Sequence, residues 1–278
     1  MQSKMAGAAA VLLLTAAQPV ESQNVPAAPA PTYADLADLA LGAPVAAHVR
    51  VRKSDALSAR EAPNVAQGHR RFLVEADVLA LIRGEAVPPR VSYLIDLPND
   101  ARGRAARIPK RSEYLVLARA DGGRPGELRL TAPDAQIPFS PAAAARLRDI
   151  VRESLQPNAA PRITGLGRAF HVPGSLPGES ETQIFLQTAD NRPISLSVLR
   201  RPGERTRWSV ALGEMVDAAA QTPRADTLLW YRLACTLPAT LPPQSLAEAA
   251  PEEANAIRAD YRLVVQQLGP CVRMRRRR

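Results

Sequence analysis

Apolar residues that alternate with polar ones dominate the first half of the chain. In VAAHVRVRK, which begins at Val45, every second residue is apolar and His48 and two arginines lie between them, the pattern of a β-strand with one buried face. Four further segments share this alternation: RRFLVEADVLALIRG (70–84), RVSYLID (90–96), EYLVLAR (113–119) and ELRLT (127–131). Five strands separated by loops predict a small closed sheet.

A helix is predicted after these strands. Ser140 is a residue type that caps helices, Pro141 suits a first turn, and PAAAARLRDIVRESL carries apolar residues at helical spacing. Those apolar positions are Leu147, Ile150, Val151 and Leu155. The stretch 156–162 contains two prolines and ends the pattern, so we place a domain boundary there.

The second half begins with strand patterns and ends with a helical one. Strands are predicted at ETQIFLQT (181–188), PISLSVLRR (193–201), TRWSVALGE (206–214) and the richly apolar DTLLWYRLAC (226–235). The stretch from Pro251 to Leu268 then brings its apolar side chains onto one helical stripe. That stripe consists of Ile257, Tyr261, Val264, Val265 and Leu268. An antiparallel sheet backed by this terminal helix is the simplest assembly.

The first residues have the pattern of an export signal. Lys4 supplies a charge, Met5 to Ala17 form a short apolar run, and small residues follow, so we expect residues 1–22 to be a signal peptide that is too short to span a membrane. Residues 23–32 are rich in proline and alanine and predict an extended tether. The expected location is therefore outside the cytoplasm, periplasmic or secreted, with no transmembrane segment in the mature chain.

The first half also resembles known modules. In RRFLVEADVLALIRGEAVPPRVSYLID a strand, a turn at Gly84 and a second strand follow one another, and in KRSEYLVLARADGG a charged approach leads into a Tyr-Leu-Val-Leu strand. From Leu36 to Leu155 this resembles the netrin-like and metalloproteinase-inhibitor-like modules, which are five-stranded OB-type barrels followed by a helix. Those extracellular modules rely on cysteine bridges, whereas this chain has no cysteine before Cys235. The resemblance therefore implies a binding or scaffolding barrel and no inhibitory residue.

Together these patterns predict a mainly β, α+β fold. It consists of a five-stranded OB-like barrel with a helix, followed by an antiparallel sheet backed by a C-terminal helix. The predicted divisions are a signal peptide (1–22), a tether (23–32), an OB-like barrel domain (33–156), an α+β domain (162–272) and a basic tail (273–278).

The chain has two cysteines, Cys235 and Cys271. An exported protein enters an oxidising compartment, so we expect these two residues to form a disulfide. Two buried thiols are the alternative.

The formal net charge is +9, and the tail contributes five arginines to it. These are Arg273, Arg275, Arg276, Arg277 and Arg278. Such a cluster is suited to an anionic partner, such as an acidic component of the cell envelope, and it is equally typical of a solvated chain end. Genomic nucleic acid is not expected as a partner, because the chain is predicted to be exported and its aromatic content of 4% offers few stacking groups.

Common catalytic and cofactor motifs are absent from the sequence. It contains no phosphate-binding G-x-x-x-x-G-K-[ST], H-E-x-x-H, C-x-x-C or G-x-S-x-G, and no cofactor is expected. The three histidines have neither i, i+2 nor i, i+4 spacing to one another, so no histidine-rich metal site within one element is predicted.

One stretch, HVPGSLPGESETQIFLQT, remains a candidate for chemistry. His171 precedes a turn-rich connection, and Glu179 and Glu181 are two residues apart, which places both carboxylates on one face of an extended chain. If the loop returns His171 to them, an acid–base pair or a metal site results. The same residues are typical of a solvated strand entrance.

Two functions follow from these patterns. The first is a non-catalytic exported protein that binds or scaffolds a partner in the cell envelope. The alternative is an envelope hydrolase or metal-dependent enzyme that uses His171, Glu179 and Glu181. A third reading, anion binding through the terminal arginines, predicts an affinity that falls steeply with salt.

Overall fold

Five strands of the first half close into a barrel. The computed structural model describes residues 30–85, 87–213 and 222–275. The strands are β1 (Val45–Ala56), β2 (His69–Arg83), β3 (Arg90–Pro98), β4 (Glu113–Ala120) and β5 (Glu127–Leu130). They pair in the order β1-β2-β3-β5-β4, and β1 also pairs with β4, which closes the sheet. The predicted OB-like barrel is confirmed, and a short strand that the pattern does not predict, β6 (Gln136–Pro138), pairs with β4.

The barrel interior contains the side chains that alternation predicts to be buried. The interior residues of β1 and β3 are each at most 6% exposed: Val45, Val49, Val51, Val91, Tyr93 and Ile95. Register shifts between β1 and β2, near Ala46, His48 and Val51, are β-bulges. Because each bulge inserts a residue and increases local twist, they bend this long strand pair around the barrel.

Two helices pack beside the barrel. The predicted helix is α2 (Pro141–Ser154), and the Ser140 hydroxyl accepts the Ala143 N–H at its start. Leu155 shares the helical spacing of the other apolar positions, but it lies just beyond the helix and is 63% exposed. The sequence pattern does not reveal α1 (Tyr33–Ala40), because eight residues are too few for a clear periodicity.

The second half forms a four-stranded antiparallel sheet. Its strands are β7 (Ile163–Pro173), β8 (Ser180–Thr188), β9 (Ile194–Arg200) and β10 (Arg207–Ala211), paired in the order β10-β9-β8-β7. The terminal helix is α4 (Pro251–Leu268), with the predicted bounds. Ile184 and Leu196 of the sheet belong to the same buried cluster as Ile257 and Val264 of α4, so the predicted sheet backed by a helix is confirmed.

The prediction of a strand at DTLLWYRLAC is wrong. This segment contains α3 (Leu228–Ala234), whose N-terminal turn is capped by the Thr227 side chain, the acceptor of the Trp230 N–H. A short apolar run does not distinguish a buried strand from a buried helix. The Thr227 cap, which satisfies a free N–H of the first turn, favours the helix. A 3-10 helix follows at Pro243–Leu246.

A hydrophobic core is shared by the two halves of the chain. Leu36 of α1 and Leu147 of α2 lie in the same buried cluster as Ile184, Leu233 and Ile257. The Glu153 carboxylate of α2 accepts the Leu228 N–H of α3 at 2.7 Å. The described residues from Pro31 onward form one compact unit. The division into domains 33–156 and 162–272 remains a prediction. The structure shows that residues of both ranges contribute to one hydrophobic core.

The predicted disulfide between Cys235 and Cys271 is confirmed. Cys235 lies at the C-terminal end of α3, where the sequence pattern had suggested the end of a strand. The bond joins this position to the segment that follows α4.

Three predicted segments fall wholly or partly outside the described residues. The predicted signal peptide (1–22) lies entirely outside them, as do residues 23–29 of the predicted tether and Arg276, Arg277 and Arg278 of the tail. Within the described ranges, no helix has the length and apolar character needed to cross a membrane.

Removing the disulfide is expected to destabilise the fold. In the loop-entropy model, a crosslink between residues separated by 36 positions stabilises the folded state by about 4 kcal/mol. We therefore expect the double variant Cys235→Ala, Cys271→Ala to lose about this much free energy of unfolding in urea denaturation. Reduced wild-type protein serves as the control and should show a similar loss. A loss under ~1 kcal/mol in both would show that the bond contributes little beyond the packing around it.

Candidate functional site

The structure does not assemble His171, Glu179 and Glu181 into one site. His171 lies in β7, not in a loop, and it is paired across the sheet with Thr182 of β8. The next pair along the same ladder is Val172 and Glu181. Because successive side chains on a strand point to opposite faces, His171 and Glu181 project from opposite faces of the sheet.

Each glutamate has a local role of its own. The Glu179 carboxylate accepts the backbone N–H groups of Ser175 and Leu176, at 3.1 and 3.4 Å, and so closes the β7–β8 loop on itself. The Glu181 carboxylate accepts the Gln183 side-chain amide at 3.0 Å and the Ser197 hydroxyl at 3.1 Å on the outer face of the sheet. Among the described residues, no group of three or more histidines, cysteines or carboxylates could hold a metal ion.

His171 belongs instead to a buried polar network. The Thr182 hydroxyl donates to Asp260 of α4 at 2.5 Å, so it accepts from Nδ1 of His171 at 2.8 Å. Arg200 donates from Nε to the other Asp260 oxygen at 2.9 Å. Thr182 is completely buried, which leaves its hydroxyl no access to a substrate. The network therefore attaches α4 to the sheet and is not arranged as a nucleophilic centre.

The described tail arginines are bound to the protein itself. Arg273 donates from Nε to Asp38 at 2.7 Å, and Arg275 donates from Nε to Asp134 at 2.7 Å. The pKa of each guanidinium is raised, chiefly by these hydrogen bonds. These two arginines therefore hold the C-terminal segment against the fold. The remaining tail arginines lie outside the described residues.

A groove in the barrel wall is a concave site with a largely apolar surface. Strand β5 runs parallel to β3 only at Ser92 and Tyr93, after which the two strands separate. The opening between them has a volume of about 500 Å³. Its apolar lining residues are Leu73, Tyr93, Leu94, Ile95, Leu128, Leu130, Ala132 and Pro133. Seven further lining residues are polar or charged, but most of the groove surface is apolar. A volume of this size with a predominantly apolar surface is typical of ligand sites.

Two ion pairs lie along the groove. Arg71 and Asp96 form a two-bond pair, with N···O distances of 2.6 and 2.7 Å. Arg129 donates to Asp121 at 3.3 Å. The hydrogen bonds from Arg71 lower the pKa of the Asp96 carboxyl, and the same pair raises the pKa of Arg71. A third lining carboxylate, Glu127, is paired with Arg124 at 3.2 Å. The rims are therefore charged, and each of these charges has an opposite charge beside it.

The sequence contains a weak signal for this groove. Leu73 and Leu94 interrupt the alternation, because they occupy positions where a strand with one buried face has polar residues. They pair directly with each other across β2 and β3, and Leu94 is 47% exposed. Two isolated leucines carry little information until the pairing register places them side by side.

Comparisons add no relative from which a site could be transferred. No protein-family model matches the chain, and no curated protein matches it. The resemblance of the barrel to netrin-like and metalloproteinase-inhibitor-like modules remains a prediction.

The Asp96 carboxyl is expected to titrate below its ordinary pKa of 3.8. Because its pKa is lower in the folded than in the unfolded chain, the pair with Arg71 stabilises the fold above about pH 4, and this contribution disappears as the pH falls through the folded-state pKa. Carbon-13 NMR titration of the carboxyl group measures the midpoint. The variant Arg71→Gln should move the midpoint upward, and an unchanged midpoint would contradict the assignment.

The buried network around Asp260 is expected to matter for stability. Asp260 is 1% exposed, and Asp260→Ala removes the carboxylate that accepts from the buried Thr182 hydroxyl and from Nε of Arg200. We therefore expect a loss of about 3 kcal/mol in the free energy of unfolding. Asp190→Ala removes an exposed pair with Arg192 and should cost less than ~1 kcal/mol. Equal losses in the two variants, measured by urea denaturation, would refute the role of the network.

Proposed function

We propose that the chain is a non-catalytic exported protein, periplasmic or secreted, that binds a protein partner of the cell envelope through the groove between β3 and β5. The observation that carries this proposal is the groove itself, an apolar opening of about 500 Å³ bordered by self-neutralised ion pairs. Removing apolar surface of this kind from water lowers the free energy, so covering it favours binding of a partner.

The proposed location rests on two features. Residues 1–22 have the pattern of a signal peptide. The Cys235–Cys271 disulfide is typical of proteins that fold in an oxidising compartment. Both favour export.

The alternative, an envelope hydrolase or metal-dependent enzyme, has less support. It requires His171, Glu179 and Glu181 to converge, whereas His171 bonds to buried Thr182 and Glu179 closes a loop. Anion binding through the tail is also less favoured, since Arg273 and Arg275 already have carboxylate partners.

Site-specific photo-crosslinking in the producing cells tests the proposal. Leu94 lies in the groove, and Leu79 is a similarly exposed leucine on β2 that does not line it, with exposures of 47% and 40%. Each is replaced in turn with p-benzoylphenylalanine, and the cells are irradiated. We expect a crosslinked protein of defined mass from position 94, in the envelope fraction, and none from position 79. Equal adducts from both positions, no adduct from either, or retention of an uncleaved chain in the cytoplasm would contradict the proposal.

A further inference from the structure

Strand β3 has one open edge beside the groove. On one side it pairs with β2 along its whole length, from Arg90 opposite Asp77 to Pro98 opposite His69. On the other side its pairing with β5 ends at Tyr93. We call the unpaired side of residues 95–98 the β3 edge.

The direction of the backbone groups on this edge follows from strand geometry. The Ser92 N–H donates to the Gly126 carbonyl at 2.9 Å, so Ser92 faces β5. Backbone groups repeat their direction every second residue, and the N–H and C=O of Asp96 therefore point toward the groove as well. No described residue pairs with them. The β3 edge therefore presents one backbone donor and one backbone acceptor, both of Asp96, beside an apolar opening.

We propose that the partner binds as an extended segment that adds a strand to the β3 edge. This inference rests on the proposed function and specifies how its site works. Main-chain hydrogen bonds to an exposed sheet edge supply affinity in this mode, and alternate side chains supply specificity. Natural sheet edges are commonly protected by a charge or a proline. Here Pro98 lies at the end of the edge, and the exposed Leu94 lies just before its start.

The lining determines the chemistry of the occupant. Leu73, Leu94 and Leu130 offer apolar contacts, so we expect the segment to carry apolar residues at alternate positions. Arg71 is paired with Asp96, Arg129 with Asp121, and Glu127 with Arg124, so each charged lining residue already has an oppositely charged partner. The groove therefore fits an uncharged extended segment better than a phosphate backbone or an acidic peptide.

Other occupants fit the groove less well. Single-stranded nucleic acid requires aromatic stacking surfaces and unpaired basic groups. The one tyrosine that lines the groove, Tyr93, is 2% exposed and donates its hydroxyl to Gln136 at 2.7 Å. It cannot offer a ring face to a base or a sugar without leaving the barrel interior.

The test uses the full exported chain and defined peptides. The probe is a pooled library of acetylated, amidated heptapeptides with apolar residues varied at three alternate positions and threonine elsewhere. Retained peptides are identified by mass spectrometry, and their Kd values are measured individually. The best peptide is then resynthesised in two forms, each N-methylated on one of the two alternating sets of amides. Strand addition predicts that one form loses at least tenfold in affinity and the other changes less than twofold.

Amide hydrogen exchange gives the matching readout on the protein. The Asp96 amide should exchange rapidly in the free chain and slowly with the peptide bound, whereas the Ile95 amide, which faces β2, should be protected in both. Leu94→Arg should weaken peptide binding at least tenfold, and Leu79→Arg, the matched control, should leave it unchanged. Amide spectra of both variants confirm that the barrel remains folded.

Several outcomes would overturn the inference. These are a library from which no peptide is retained, equal affinity of the two methylated forms, or unchanged exchange at Asp96 in the complex. If position 94 still crosslinks a partner in cells while the methylated forms bind equally, the binding function stands and strand addition fails. If position 94 crosslinks nothing and no peptide binds, both fail.

Discussion

The barrel depends on how one very short strand closes it. Strand β5 has four residues and pairs with β3 in parallel and with β4 in antiparallel fashion. It can approach β3 because Gly126 precedes it. A Cβ at this position would lie 2.9 Å from the Arg90 carbonyl oxygen, and the φ of +87° also favours glycine. Beyond Tyr93, β5 pairs only with β4, and β3 has no strand beside it on this side while it remains paired with β2. The groove is a direct consequence of this closure.

A buried carboxylate organises the junction between the two ends of the described chain. Asp35 is fully buried and accepts the N–H groups of Thr32, Met274 and Arg275 at 3.0 to 3.1 Å. A buried carboxylate without hydrogen-bond donors is costly, so Asp35 requires these three N–H groups in its buried position. The disulfide at Cys271 holds the same segment from its other end. The first tail arginines are thus part of the folded structure.

The two strand-rich regions show which parts of the fold are predictable. Alternation identifies β1 and β3 because half of each strand faces a core and half faces water, and this constraint is local. It fails at Leu228–Ala234, where both faces are largely apolar and the Thr227 cap is the only local indication of a helix. It also fails for α1, whose eight residues are held mainly by the shared core and by the capping box of Thr32 and Asp35. The candidate site shows the same limit of local patterns. His171 and Glu181 are near in sequence, but the pleat of the sheet places their side chains on opposite faces.

The sequence by itself determined the five strands of the barrel, the helix at 251–268 and the identity of the disulfide partners. It also determined three strands of the second sheet, β8, β9 and β10, but not β7. These follow from periodicity, from capping and from a count of two cysteines. The tertiary structure decided that Leu73 and Leu94 share one surface, that Arg273 and Arg275 are bound to carboxylates, and that β3 is left with an open edge. The physical reason is that each of these features depends on pairing register or on contacts between residues far apart in the chain, which no local pattern encodes.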